Sequence, residues 1–268
     1  MEIDDNLGAR LIQAYQRKLI DGCHILHHRG LLDAYGHLSF RHPLDPDVFV
    51  MSRSMAPGIV SSPDDLVEYA VPEAEAFDPS SPEGYAERRI HSEIYKRHGG
   101  VQAVVHCESD AVAPYTVTSV PLRACVHAAG FLGSEAVPVC DPAALYDPDN
   151  MPDVMERHAN LAYELAKLFD NDNSVVLMRS QGFTVVAENL ELAVMRAIYT
   201  QKNAAVQTAA LTISAAAEPS GKSDMNKIRF LNEREALESA NTTRWSAHRP
   251  WKLLVREVEA SGLYVNYA

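Results

Sequence analysis

The stretch from Glu87 to Glu108, ERRIHSEIYKRHGGVQAVVHCE, carries the residue types that can do chemistry in this chain. Glu87 precedes His91 by four positions, which on a helix sets a carboxylate and an imidazole on one face. His106 and Glu108 stand two apart at the end of an apolar run, so on a strand they share a face while Cys107 turns away. A carboxylate for proton transfer then stands opposite two metal-capable side chains, a combination suited to making or breaking a bond beside a carbonyl.

Three other places could add to such a site. Gly36 permits a tight turn into a strand bearing His37, Leu38 and Ser39. Ser52, Arg53 and Ser54 fall at a strand end ahead of Pro57-Gly58, where side chains and free N–H groups can hold an anion; an ordinary polar turn fits the same residues. His127 sits among small residues in LRACVHAAGFLG, as a core histidine or as one that a ligand can approach.

The elements that must position these groups follow from periodicity. Asp4, Asp5 and Asn6 are N-cap candidates for a first helix with Leu7, Leu11, Ile12, Tyr15, Leu19 and Cys23 on the helical repeat, ending near Gly30. Strands are expected over residues 37–41, 48–52, 101–106, 174–179 and 183–187, with a Pro-, Ser- and acid-rich loop over 72–82. A helix begins at Asn150 with Pro152 in its first turn and runs to Phe169, and Asn189 caps a long helix. Residues 214–224 shift to Ala, Ser, Pro and Gly and read as a linker. Helices over 225–241 and 251–260 and an aromatic tail follow. This divides the chain into a main domain (1–213), the linker and a helical C-terminal extension (225–268), with α/β alternation throughout the first part.

The chain has 268 residues, is 47% hydrophobic and carries a formal charge of −12. That balance argues against nucleic acid or an anionic membrane as partner and leaves small molecules. The four cysteines lack disulfide-framework or metal-knuckle spacing and read as buried thiols. The first ten residues carry no apolar leader, and the expectation is a soluble cytoplasmic protein.

The order GHLS, ERRIH, VVH-x-E-S and then strand, Ser-Gln-Gly, strand and long helix resembles the class II aldolase/adducin family over about residues 7–213. The resemblance implies a three-layer α/β/α domain around a mainly antiparallel sheet, commonly a tetramer. It implies that Gly36 and Ser39 belong to the first substrate turn, that Glu87 is the catalytic acid/base and that His106 is the first ligand of a divalent metal. The second and third ligand positions fall on Glu108 and Gln181, where the family has histidine. Two outcomes are open: a zinc or manganese ion held by His106, Glu108 and Gln181, or no metal, with Glu87 and His106 alone moving protons. GHLS, MSRSMAPGIVSSPDDLV and CVHAAGFLG are similar to the aromatic-acid decarboxylases of the family. They imply a carboxylated ring as substrate, with Ser52, Arg53 and Ser54 on its carboxylate and His37 or His127 on an enol or phenol oxygen. The expectation is a lyase, by decarboxylation or retro-aldol cleavage. A metal-free isomerase or cyclase, or an adducin-like interaction module, is the alternative.

Overall fold

A computed structural model of the chain describes residues 5–145, 154–217 and 228–268. Seven strands form one sheet: β1 (His37–Arg41), β2 (Val48–Ser52), β3 (Leu66–Ala70), β4 (Ala103–Cys107), β5 (Val139–Cys140), β6 (Val175–Met178) and β7 (Phe183–Ala187). Their order is β3-β2-β1-β4-β7-β6-β5, antiparallel except where β5 runs parallel to β6. β1, β2, β4, β6 and β7 are buried at every position, because helices cover both faces of the sheet.

Period-2 alternation sorts the strand residues between two cores. Leu38, Phe40, Val50, Val105, Leu177 and Val185 face α1 (Asp5–His28), α5 (Leu190–Ala217) and α7 (His248–Ser261). Phe49, Met51, Val104, Val176, Met178 and Val186 face α2 (Arg88–Arg97) and α4 (Val154–Lys167). A short α3 (Ala113–Val117) and α6 (Glu233–Ser246) complete the helices among the described residues. The expected three-layer arrangement around a mainly antiparallel sheet is what the chain adopts.

Several expectations need correction. β3 was not foreseen, since an edge strand with Glu68 outward and Val67 and Tyr69 inward lies between turn-rich stretches. β5 was also missed; two residues carry no periodicity. The expected linker begins too early, because α5 continues to Ala217, so residues 214–217 are helical. The remainder of that linker, and the helix start at Asn150 and Pro152, lie outside the described residues. The next helix starts at Glu233, where Asn232 and Glu235 form a reciprocal capping box.

The C-terminal helices are not peripheral. Trp251, Leu254 and Val258 of α7 join the core that contains Leu19, Leu38 and Val194, each worth about 1.5–3 kcal/mol when fully buried. The tail then returns along α1. Tyr264 stacks on His24 with ring centroids 4.8 Å apart, its hydroxyl lies 2.7 Å from His27 Nδ1, and Tyr267 N–H donates to the Ser61 carbonyl. Among the described residues no helix is long and apolar enough to cross a membrane.

Two glycines set the approach of the site-bearing turns. Gly36 enters β1 at φ +82°, with the His106 carbonyl 3.0 Å from where a Cβ would stand. Gly182, at φ +79° in the β6–β7 turn, leaves a Cβ only 2.1 Å from the Cys107 carbonyl. Gly182→Ala is expected to cost at least about 2 kcal/mol through strain and overlap together. Gly99→Ala, whose Cβ meets nothing within 4 Å, should stay within about 0.5 kcal/mol. Urea midpoints of the two variants check the contrast.

Candidate active site

The sheet register brings the polar side chains into one row. His37 pairs with His106 across β1 and β4, and His106 pairs with Thr184 across β4 and β7. Residues directly opposite in antiparallel strands point to the same face, here the face covered by α2. His106 Nδ1 lies 3.0 Å from Thr184 Oγ1, and the Thr184 hydroxyl donates to Met178 Sδ at 3.6 Å. The His37 and His106 rings stack with centroids 5.2 Å apart.

α2 closes the row from above with His91, which is wholly buried. Its Nε2 lies 2.6 Å from His37 Nδ1 and its Nδ1 lies 2.6 Å from Ser39 Oγ, which in turn meets the Tyr95 hydroxyl at 2.8 Å. One proton lies between the two imidazoles and one between His91 and Ser39, so His37 cannot turn without breaking the chain of bonds. Burial, reinforced by His91 and His106, drives His37 well below the usual histidine range. Burial, with His106 adding, takes His91 down to about 3, and burial takes His106 down to about 4 against the opposing effect of a hydrogen bond that the ring gives to the Gln181 main-chain carbonyl. All three rings are therefore neutral at pH 7.

A cavity of about 300 Å³ opens beside this row, at the small end of ligand-pocket sizes. Gly36, His37, Glu87, His106, Glu108 and Gln181, expected from the sequence to act together, all line it. Glu87 does so from the N-cap position of α2, one residue before the helix begins, rather than from a helical turn shared with His91. Ser39 stands behind the cavity as a partner of His91. Ser52 is likewise buried, beside Tyr85. Ser54 lines an adjoining cleft reached past Tyr35, Tyr85 and Glu87.

Two expected residues are elsewhere. Arg53 is bonded to Asp65, with Nη2 and Nε at 2.9 and 3.2 Å from Oδ1, and lines neither space. Burial works to raise the Asp65 carboxyl, but hydrogen bonds from Ser61, Ser62 and Arg53 outweigh it and hold the group ionised below the usual range. The Arg53 fork is thus taken by its own chain. His127 begins a 3-10 segment, His127–Leu132, packed against α6, where its carbonyl accepts from Ser239 Oγ, and it also lines neither space. Tyr35, Tyr85, Arg89, His158 and Leu161 line the cavity without having been singled out. Arg89 lay in view within ERRIH, whereas His158 sits inside a helix with no local signal.

The three residues expected to hold a metal, His106, Glu108 and Gln181, line the same cavity. Among the described residues no three His, Cys, Asp or Glu side chains are grouped so as to hold one ion. The three family positions offer one imidazole, one exposed carboxylate and one neutral amide. That donor set does not fit a three-histidine zinc centre.

Known proteins match this chain over most of its length. The profile of the family described as Class II Aldolase and Adducin N-terminal domain matches residues 17–208. Decarboxylase tropJ of Talaromyces stipitatus is 49% identical over 259 residues, which are 94% of this chain and 97% of that protein. A solved aldolase II superfamily protein from Pseudomonas syringae superposes with a TM-score of 0.68 at 19% identity, covering 94% of each chain. L-fuculose 1-phosphate aldolase from Glaciozyma antarctica gives 0.67 at 17% identity, covering 94% of this chain and 92% of its own. At such identities the two structures speak for the fold.

The buried row makes stability depend on pH. His37, His91 and His106 have folded pKa values below the 6.5 of a free histidine, so below pH 6.5 the unfolded chain binds more protons than the folded one. Stability is then complete above pH 6.5 and is lost as the pH falls, at up to about 1.4 kcal/mol per pH unit for each ring. Urea unfolding at intervals from pH 7.5 to 4.5 should show this steep decline before ordinary carboxylates titrate. A level profile over that range would contradict the neutral row.

Proposed function

We propose that this chain, which belongs to the class II aldolase and adducin family, is a lyase that removes carbon dioxide from a small oxygenated or aromatic carboxylic acid, with Glu87 as its acid/base. The observation that carries the reading is the convergence of Glu87, His37 and His106 on one ring-sized cavity in a chain 49% identical to a decarboxylase. The bond from the substrate to its carboxylate carbon breaks and leaves its electron pair in the adjacent conjugated carbonyl or ring, as an enolate. Carbon dioxide departs, and a proton returns to the carbon.

Each residue has a part in that sequence. The Glu87 carboxyl, at the mouth of α2, delivers the proton. His37, neutral and with its Nδ1 on His91, offers a hydrogen bond to the developing enolate oxygen without a competing full charge, while His106, whose Nδ1–H goes to Thr184, is a neutral ring stacked beside it. His91 and Ser39 act through His37 as positioning residues. Retro-aldol cleavage is the same electron flow with an aldehyde as the departing fragment. Because the donor set does not fit the family's zinc centre, the reading assigns no step to zinc or manganese.

The family domain runs through α5 to Ala217, and α6 and α7 form a helical extension that packs against it. The protein works in the cytoplasm on a small molecule, which its free thiols suit. It assembles as a homotetramer; Trp245, Tyr267 and Leu263, exposed to 83%, 74% and 72%, supply apolar area for the contacts.

Release of carbon dioxide from a panel of hydroxylated aromatic acids tests the reading. Glu87→Gln should lower kcat by about 10²–10⁴ while leaving the thermal midpoint unchanged, and chelator treatment should leave native turnover within about twofold. Full activity in Glu87→Gln would remove that carboxylate from the mechanism. Loss on chelation with recovery on adding zinc or manganese would overturn the metal-free reading.

A further inference from the structure

Four buried groups run in line from the cavity into the α2 side of the sheet: His37, His91, Ser39 and Tyr95. Contacts of 2.6 Å between His37 Nδ1 and His91 Nε2, 2.6 Å between His91 Nδ1 and Ser39 Oγ, and 2.8 Å between Ser39 Oγ and Tyr95 Oη join them. Distances alone leave the direction of each proton open, and two arrangements fill all three bonds with neutral rings. In one, every group donates towards the cavity, from Tyr95 to Ser39, from Ser39 to His91 and from His91 to His37. In the other, every group donates away from it, and the Tyr95 hydroxyl is left as the last donor.

The two ends of the chain are unequal, and that separates the arrangements. At the inner end Tyr95 is fully buried, and among the described residues Ser39 Oγ is the one acceptor within hydrogen-bond distance of its hydroxyl. Arg41 lies over the Tyr95 ring, 4.8 Å from its centroid, and donates to the Tyr95 main-chain carbonyl, but a guanidinium has no lone pair to offer. Burial pushes the Tyr95 hydroxyl above the usual tyrosine range, so it keeps its proton; the Val104 main chain acts in the opposite, lowering direction, as an N–H given to the oxygen does. If Tyr95 accepted from Ser39, its own O–H would stand buried without a partner, which native interiors avoid. At the outer end no such penalty arises. His37 lines the cavity, and with Nδ1 on His91 its Nε2 is the ring nitrogen left over, where a proton and a lone pair are equally able to meet solvent or a ligand.

We propose that the Ser39 and Tyr95 hydroxyls fix His37 as the tautomer with its proton on Nε2, so that the ring presents a hydrogen-bond donor, and no lone pair, to the cavity. The tautomer stands on the geometry of the chain of bonds, while its use against a substrate oxygen rests on the lyase reading. Which ring nitrogen of a histidine is protonated is set by the bond the other one makes, and here that setting is passed along from Tyr95 through two further groups. Neither Ser39 nor Tyr95 lines the cavity, so both are positioning residues. His37 at Nε2 can give a hydrogen bond and cannot receive a proton, which separates its task from that of Glu87. It also selects what stands beside it: an oxygen with free lone pairs, such as a carbonyl or enolate, is accepted, and a donor-only group such as an ammonium is left facing another donor.

Neutron diffraction from crystals of the perdeuterated full chain at neutral pH reads each proton position directly. The native protein should show deuterium on Nε2 of both His37 and His91, none on either Nδ1, and the Tyr95 hydroxyl aimed at Ser39. Ser39→Ala removes the group that gives its proton to His91 and leaves a buried ring nitrogen unpaired in either arrangement, so the His37 deuterium should divide between Nδ1 and Nε2. Ser39→Thr keeps the hydroxyl and should restore the single Nε2 position. Tyr95→Phe leaves Ser39 with His91 as its acceptor and should keep the deuterium on Nε2. Deuterium on His37 Nδ1 in the native protein or in Tyr95→Phe, an undivided Nε2 site in Ser39→Ala, or a divided one in Ser39→Thr would overturn the assignment. The native measurement needs no variant, so it decides the tautomer even where Ser39→Ala does not fold. Proton positions are read without substrate or turnover, so a failure of the lyase reading leaves this result standing, and a misplaced proton leaves Glu87 to be judged by its own variant.

Discussion

The contact on which the site depends is the hydrogen bond between His37 and His91, made inside the protein with no charge on either ring. A protonated imidazole in that place would face a second imidazole, a third ring stacked 5.2 Å away and, among the described residues, no carboxylate partner, so desolvation and repulsion act together. Neutrality in turn forces directionality. Each shared proton has one donor and one acceptor, and Ser39 and Tyr95 extend the constraint into the α2 side of the sheet. The cavity is therefore lined by rings whose orientation is decided several bonds away from its open space.

That rigidity is built on strand register. His37, His106 and Thr184 come from three separate strands, and a one-residue slip in any pairing would turn one of them into the opposite core. Helices on both faces make such a slip costly, since every position of the central strands is buried among apolar neighbours on one side or the other. The Gly182 turn, pressed against the Cys107 carbonyl, anchors the end of β7 where Gln181 enters the cavity wall. Positioning at the site is thus inherited from the main chain, and the polar side chains are fixed by the same packing that stabilises the sheet.

Much of this was legible in the sequence because it follows from simple periods. The alternation in VVHCE placed His106 and Glu108 on one face, GHLS marked the entry to β1, and the strands at 37–41, 48–52 and 183–187 were located to the residue. What escaped has physical reasons. β3 hides because an edge strand with one charged position between turns resembles a loop. Glu87 was read as helical, although a spacing of four cannot distinguish the first helical residue from the cap before it. Arg53 seemed free because nothing local reveals that Asp65, twelve residues on, folds back to hold it. His158 gave no signal at all, since its place in the cavity arises only when α4 packs against α2.

The return of the tail along α1 has a consequence for synthesis. α1 leaves the ribosome before every strand of the sheet, yet its apolar face is shared with Trp251, Leu254 and Val258, and His24 and His27 wait for Tyr264. All seven strands and α5 must be translated before those partners exist. The nascent protein accordingly holds an amphipathic helix with part of its apolar surface uncovered throughout elongation, the condition that draws in chaperones. Closure of the α1 side of the sheet waits for α7. The opposite side, where α2 seats His91 over β1 and β4, needs nothing made after β7 and α4, so the histidine row can be assembled while the other face is still open.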